Sequence, residues 1–139
     1  MKTLLFVCIH NSARSQMAEA FARQYGAGKV QAFSAGLTPG QLNPVVVAAM
    51  AELGVDISHR PCRSVDEHLA QYGAPDVMIA VCDAASAERC PHLPGVEMMH
   101  WHFADPSSFT GTLDAKLAAT RRVRDAIGAR VKAWCESLA

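Results

Sequence analysis

Thr3-Leu4-Leu5-Phe6-Val7-Cys8-Ile9-His10-Asn11-Ser12-Ala13-Arg14-Ser15 is the stretch from which the fold can be worked out. Its first six residues form a short β-prone run apolar on both faces, as in a strand buried inside a parallel sheet. From Ser12 to Tyr25 the period changes: Met17, Phe21 and Tyr25 recur every four residues and Gly26 follows, which predicts a helix and its terminator. Strand, tight loop and helix therefore open the chain. Within the loop, Cys8 and Arg14 are separated by five residues, Ile9, His10, Asn11, Ser12 and Ala13. A loop that feeds a helix N-terminus turns backbone N–H groups and the positive end of the helix dipole towards one point, an oxyanion site, and an arginine adds paired hydrogen bonds. The same donors favour a thiolate, so Cys8 is read as an activated nucleophile at the bottom of an oxyanion cup. Ser15 is expected to donate to the sulfur and Asn11 to bond back into the loop. The competing reading is a small cysteine buried for packing beside an arginine in a surface ion pair.

Beyond the opening unit, strands and helices alternate. Lys29 to Ser34 suits a second strand. Asn43 before Pro44 is an N-cap with proline in the first turn, leading through Val47, Met50 and Leu53 to Gly54. Ser64, Val65, Asp66, Glu67 has capping-box spacing for a helix that ends near Gly73. Val77 to Cys82 is the most apolar strand candidate and Val96 to Trp101 a fourth. Val123, Ile127, Val131, Trp134 and Leu138 mark one face of a long closing helix. The expectation is one α/β domain over residues 1–139: three layers, a four-stranded parallel sheet with right-handed crossovers, and a flavodoxin-like order 2-1-3-4.

Composition bounds the function. With 13 Lys plus Arg against 13 Asp plus Glu in 139 residues, no polyanion-binding field is expected, hence no nucleic acid partner. The longest strictly apolar run, Val45 to Ala51, is too short to cross a bilayer, and no membrane association is expected. Asn11, Ser12 and Arg14 interrupt the stretch where an export leader would still be apolar, so a cytoplasmic protein is expected; a monomer is expected as well. Five cysteines, Cys8, Cys62, Cys82, Cys90 and Cys135, are an odd set for such a protein and argue against a static disulfide framework. A metal site from Cys82, Cys90, His92, His100 and His102 is the other use of these residues. The seven residues between Cys82 and Cys90 do not match a zinc knuckle, and no metal is expected.

The segment Cys8 to Arg14 with Ser15 resembles the phosphate loop of low-molecular-weight tyrosine phosphatases and of the arsenate reductases built on the same fold. Val81-Cys82-Asp83-Ala84-Ala85-Ser86-Ala87-Glu88-Arg89-Cys90-Pro91 resembles the redox segment of those reductases, and His100-Trp101-His102-Phe103-Ala104-Asp105-Pro106 their acid loop. Ser34-Ala35-Gly36 and Arg122-Val123-Arg124-Asp125 extend the likeness almost end to end. The resemblance implies the low-molecular-weight phosphatase fold and reduction of arsenate to arsenite, with phosphate as a competing anion. It implies that Cys8 attacks arsenic, that Asp105 serves as general acid, and that Cys82 and then Cys90 carry the oxidation away as a Cys8–Cys82 and then a Cys82–Cys90 disulfide. Strands one and three are neighbours in the expected order, about 4.8 Å apart, which is compatible with the first bridge. Eight helical residues would span about 12 Å against a disulfide limit of ~7 Å, so Asp83 to Arg89 must unwind or bulge for the second. From spacing alone, Cys82 and Cys90 also read as unrelated thiols.

The resemblance further implies no bound cofactor and an external thiol reductant: thioredoxin, glutaredoxin with glutathione, or mycothiol. Three-cysteine relatives often carry a cysteine before the loop arginine, where this chain has Ala13, and relatives with His10 and Asn11 in the loop include mycothiol users. His10 is read as shaping the rim and Arg60 as lining the site; Cys62 and Cys135 match no family role. Two rival readings stay open. One is a tyrosine phosphatase, whose adjacent tyrosines after the acid are here Ser107, Ser108 and Phe109. The other is a non-catalytic oxyanion-binding or thiol-sensing module.

Overall fold

The computed structural model describes residues 1–83 and 87–138. Four parallel strands, β1 (Lys2–Cys8), β2 (Val30–Gly36), β3 (Val77–Ala80) and β4 (Glu97–His100), form one sheet in the order β2-β1-β3-β4. The helices are α1 (Arg14–Tyr25), α2 (Pro44–Ala51), α3 (Val65–Tyr72) and α4 (Leu113–Glu136), with a 3₁₀ turn at Pro106–Ser108. Leu4, Leu5, Phe6 and Val7 are consecutive and all fully buried. Successive strand residues point to opposite faces, so both faces of the sheet are covered, as a three-layer α/β fold requires.

Local chemistry accounts for the helix boundaries. Asn43 accepts from Val45 and Val46 N–H groups at the start of α2, Ser64 and Glu67 complete a capping box on α3, and Thr112 caps α4. Gly73, with φ 77°, terminates α3. Tertiary ties then fix the helices to the sheet. Trp101 lies between Phe6 of β1 and Trp134 of α4, with ring centroids 6.2 and 6.4 Å away. Glu52, just past α2, pairs with Arg121 and Arg124 of α4, and the hydrogen bond from Arg121 takes its carboxyl down to about 2.

Three differences from the sequence reading bear on the site. Helix α1 starts at Arg14 instead of Ser12, because Ala13, with φ −143° and ψ −85°, lies outside the helical region; Asn11, two residues earlier, takes the left-handed φ of 54° that turns the loop. Strand β2 runs on to Gly36, paired with Cys8, so Ser34, Ala35 and Gly36 belong to the strand. Strand β3 stops at Ala80; Cys82 lies two residues beyond the ladder and does not close it. Among the described residues no helix is long and apolar enough to cross a membrane.

Candidate oxyanion site

The loop between β1 and α1 is built by its carbonyls. Leu37 N–H donates to the Cys8 carbonyl (3.0 Å), Thr38 N–H to Ile9 (2.8 Å), Gly40 N–H to His10 (3.0 Å) and Asn43 N–H to Ser12 (2.9 Å). Gln16 Nε2 takes the Asn11 carbonyl at 3.1 Å, and Met17 N–H takes that of Ala13. Every carbonyl from Cys8 to Ala13 is thus occupied by donors outside the loop. Among the described residues the amides of residues 9–13 meet no acceptor, so the loop is polarised with its N–H groups unspent. Helix α1 continues the pattern: of the four helices among the described residues, only its N-terminus, at Ala13, lacks a side-chain cap.

Asn11 holds the strained turn. Its Oδ1 accepts from Arg63 N–H (3.1 Å) and Gln16 Nε2 (3.3 Å), which directs its Nδ2 to Ser15 Oγ at 2.8 Å. With that lone pair taken, the Ser15 hydroxyl proton is free to donate to Cys8 Sγ, 2.9 Å away. Cys8 is itself 2% exposed. His10 Nδ1 donates to the Thr38 carbonyl at 2.8 Å, at the exposed rim. Arg14 is 3% exposed: Nη1 donates to the Phe103 carbonyl (3.1 Å), Nη2 lies 3.6 Å from Asp105 Oδ2, and buried Nε has no partner. Asp105 is extended before Pro106, and its Oδ1 accepts from Ser107 N–H at 3.0 Å. Asn43, which already ties the loop carbonyl of Ser12, also donates from Nδ2 to Ser107 Oγ at 3.1 Å and links the acid loop to the cup.

Two further thiols sit close to this cup. Cys82 is fully buried; burial, then the nearby Cys90, push its thiol up to about 11, against the pull of Arg14. Cys90 is also buried, which pushes its thiol up, with Cys8 adding to the effect. The backbone bridges from Ala87 N–H to the Asp83 carbonyl and from Cys90 N–H to that of Ala87. Residues 84–86 of the redox segment lie outside the described residues. Cys62 was not tied to the loop by any sequence signal, yet its neighbours are: Pro61 accepts from Gln16 Nε2, and Arg63 donates to Asn11. Burial raises the Cys62 thiol, and Cys8 raises it further. Arg60 pairs with buried Glu19, whose other oxygen accepts from Ser34. Cys135 packs at the far end of the chain's last helix, near Gly26. Among the described residues no three His, Cys, Asp or Glu side chains converge on a metal position.

Gly36 was quoted in the sequence for its motif, but its role is steric. A Cβ there would stand 2.7 Å from Asn11 N and 2.8 Å from the His10 carbonyl carbon, both rigid loop backbone. Gly36→Ala is therefore expected to displace the loop, costing ~1–3 kcal/mol in the melt as overpacking does, and to weaken phosphate binding about tenfold or more. Thermal unfolding and a phosphate titration measure both; parental values in each would reject the contact.

Unspent loop amides, an uncapped helix end and a buried guanidinium with a free Nε, in the loop that starts at Cys8, are the donor set that makes this loop a candidate oxyanion site. The chain matches the family model described as low molecular weight phosphotyrosine protein phosphatase over residues 3–139. It belongs to that family. Within the family, it is similar to arsenate reductases. An arsenate reductase of Halalkalibacterium halodurans is 40% identical over 137 residues, 98% of this chain and 96% of the relative. An arsenate reductase solved in its phosphate-binding state superposes with a TM-score of 0.79 at 32% identity, covering both chains completely. The thioredoxin-dependent arsenate reductase of Corynebacterium glutamicum gives a TM-score of 0.73 at 25% identity, covering 99% of this chain and 60% of that one.

Proposed function

We propose that this member of the phosphatase family is an arsenate reductase that passes electrons through its own thiols. The observation that carries the reading is the gathering of three buried thiols, Cys8, Cys82 and Cys90, each within electrostatic reach of another, around one oxyanion cup. Hydrolysis of a phosphate ester needs one cysteine; reduction of arsenic needs a source of two electrons.

In the first step the Cys8 thiolate, steadied by Ser15, attacks arsenic while Arg14 and the amides of Ile9, His10, Asn11, Ser12 and Ala13 hold the arsenate oxygens. Asp105 protonates the departing oxygen, which leaves as water. In the second step Cys82 attacks the Cys8 sulfur, and the S–As bond breaks with its electron pair going to arsenic. Cys82 loses its proton to water before it attacks and the arsenic oxygen takes one from water, so arsenite leaves neutral and a Cys8–Cys82 disulfide remains. Cys90 then attacks Cys82 and returns Cys8 as a thiolate, and an external dithiol reduces Cys82–Cys90 by exchange. Thioredoxin is the reductant of this reading, supported by the thioredoxin-dependent relative; no resident cofactor takes part, and phosphate competes at the cup.

The test supplies arsenate, NADPH, thioredoxin and thioredoxin reductase and follows NADPH loss, with aryl phosphate hydrolysis in parallel. Arsenate-dependent NADPH loss, with a Cys82–Cys90 bridge found by mass mapping, is expected. Exchanging thioredoxin for glutaredoxin with glutathione, or for mycothiol with its own reductase, identifies the donor. Aryl phosphate hydrolysis alone would make the protein a phosphatase, and neither activity would leave an oxyanion-binding or thiol-sensing module.

A further inference from the structure

We infer that His100 is a positioning residue for the electron-transfer step, holding the Cys82 backbone where its sulfur can attack Cys8. The inference rests on the relay proposed above and adds to it a residue with no thiol.

The sheet ladder explains why such a residue is needed. Its last rungs near the site are Val81 N–H to the Val7 carbonyl and Trp101 N–H to the Ala80 carbonyl, both 2.8 Å. Strand β3 ends at Ala80, so Cys82 lies past the pairing that fixes the strand. Its carbonyl is instead held by a side chain: His100 Nε2 donates to it at 2.6 Å. A carbonyl only accepts, so the ring must carry its hydrogen on Nε2. His100 is the last residue of β4 and is paired with Ala80, so its ring reaches forward over two residues to do what a backbone N–H would do in a longer sheet.

That substitution has a mechanistic consequence. The attacking sulfur and the Cys8 sulfur must meet along one line, and small displacements of reacting atoms are costly in rate. A side-chain tether fixes Cys82 for this encounter. It also releases without unzipping β3 from β1 or β4, which suits a residue that must next turn to Cys90. His100 itself is exposed on the sheet's edge strand, so its ring adds little to the core. Its role is therefore separable from stability.

The experiment uses Cys90→Ser protein, which stops the relay at Cys8–Cys82, and follows that disulfide by acid quench and mass mapping after one equivalent of arsenate. His100→Phe removes the donor; His100→Gln keeps an N–H of similar reach. His100→Phe is expected to slow disulfide formation about tenfold, the scale of one hydrogen bond lost, with phosphate affinity within about twofold of the parent, and His100→Gln to recover most of the rate. Equal rates in His100→Phe and the parent, equal slowing by Phe and Gln, or a parallel loss of phosphate affinity would each overturn the assignment while leaving the relay standing. A parent that releases arsenite without any Cys8–Cys82 bridge would overturn the relay and the assignment together.

Discussion

Replacing Arg14 by lysine is expected to lower arsenate turnover by a factor on the order of 10²–10³, the usual cost of removing a preorganised donor from an oxyanion site. The charge is retained, so the loss measures geometry. The Arg14 guanidinium is buried with three directions assigned: Nη1 to the Phe103 carbonyl, Nη2 towards Asp105, and Nε left unpartnered. A planar fork can keep the first two contacts and still present Nε to an anion; an ammonium is a point charge and cannot. Phosphate affinity, measured by titration, is expected to fall with turnover, since the oxygens of both anions would use the same donor. A change below about threefold in both would mean that the anion does not lie against Arg14.

Much of the fold was legible because its signals are local. The apolar run ending at Cys8, the proline after Asn43, the capping box at Ser64 and the three-to-four-residue spacing of the last helix each name one element, and their alternation predicts a parallel sheet; its order, β2-β1-β3-β4, is that of the flavodoxin-like fold expected. The boundaries that moved were decided by tertiary contacts. Val77 to Cys82 reads as one strand, but the pairing of β3 with β4 ends at Ala80 because the His100 side chain, not a backbone amide, meets the next carbonyl. No periodicity carries that information.

The site divides in the same way. Cys8, Asn11, Arg14 and Ser15 announce themselves because their chemistry is in one loop. What orients that loop lies elsewhere: the amides of residues 37–43, which take four of its carbonyls, and Gln16 and Arg63, which grip Asn11. Gly40 faces the His10 Cβ, where a side chain would crowd at 3.2 Å, and only the folded backbone reveals it. Cys62 is the clearest miss: a thiol without motif, brought beside Cys8 by its neighbours Pro61 and Arg63.

Cys82→Ser is expected to abolish repeated arsenate turnover while leaving phosphate affinity at the parental value, because the hydroxyl fills the same buried position but cannot form a disulfide. The first attack by Cys8 survives this change and the release of arsenite does not, so a quench of the variant should trap arsenic on Cys8 with no bridge. The same thiol sets a pH signature. Burial raises Cys82 to about 11, so near neutrality almost all of it is protonated, and its thiolate fraction grows tenfold with each pH unit until that value. The rate of Cys8–Cys82 formation in a single turnover should therefore climb as pH is raised from neutral, without a plateau below pH ~9, whereas an unperturbed thiol of ~8.5 would level off near there. Sustained turnover by Cys82→Ser with thioredoxin would remove Cys82 from the relay. A plateau near pH 8 in the parent would mean instead that something in the adduct takes the Cys82 proton before the sulfur attacks.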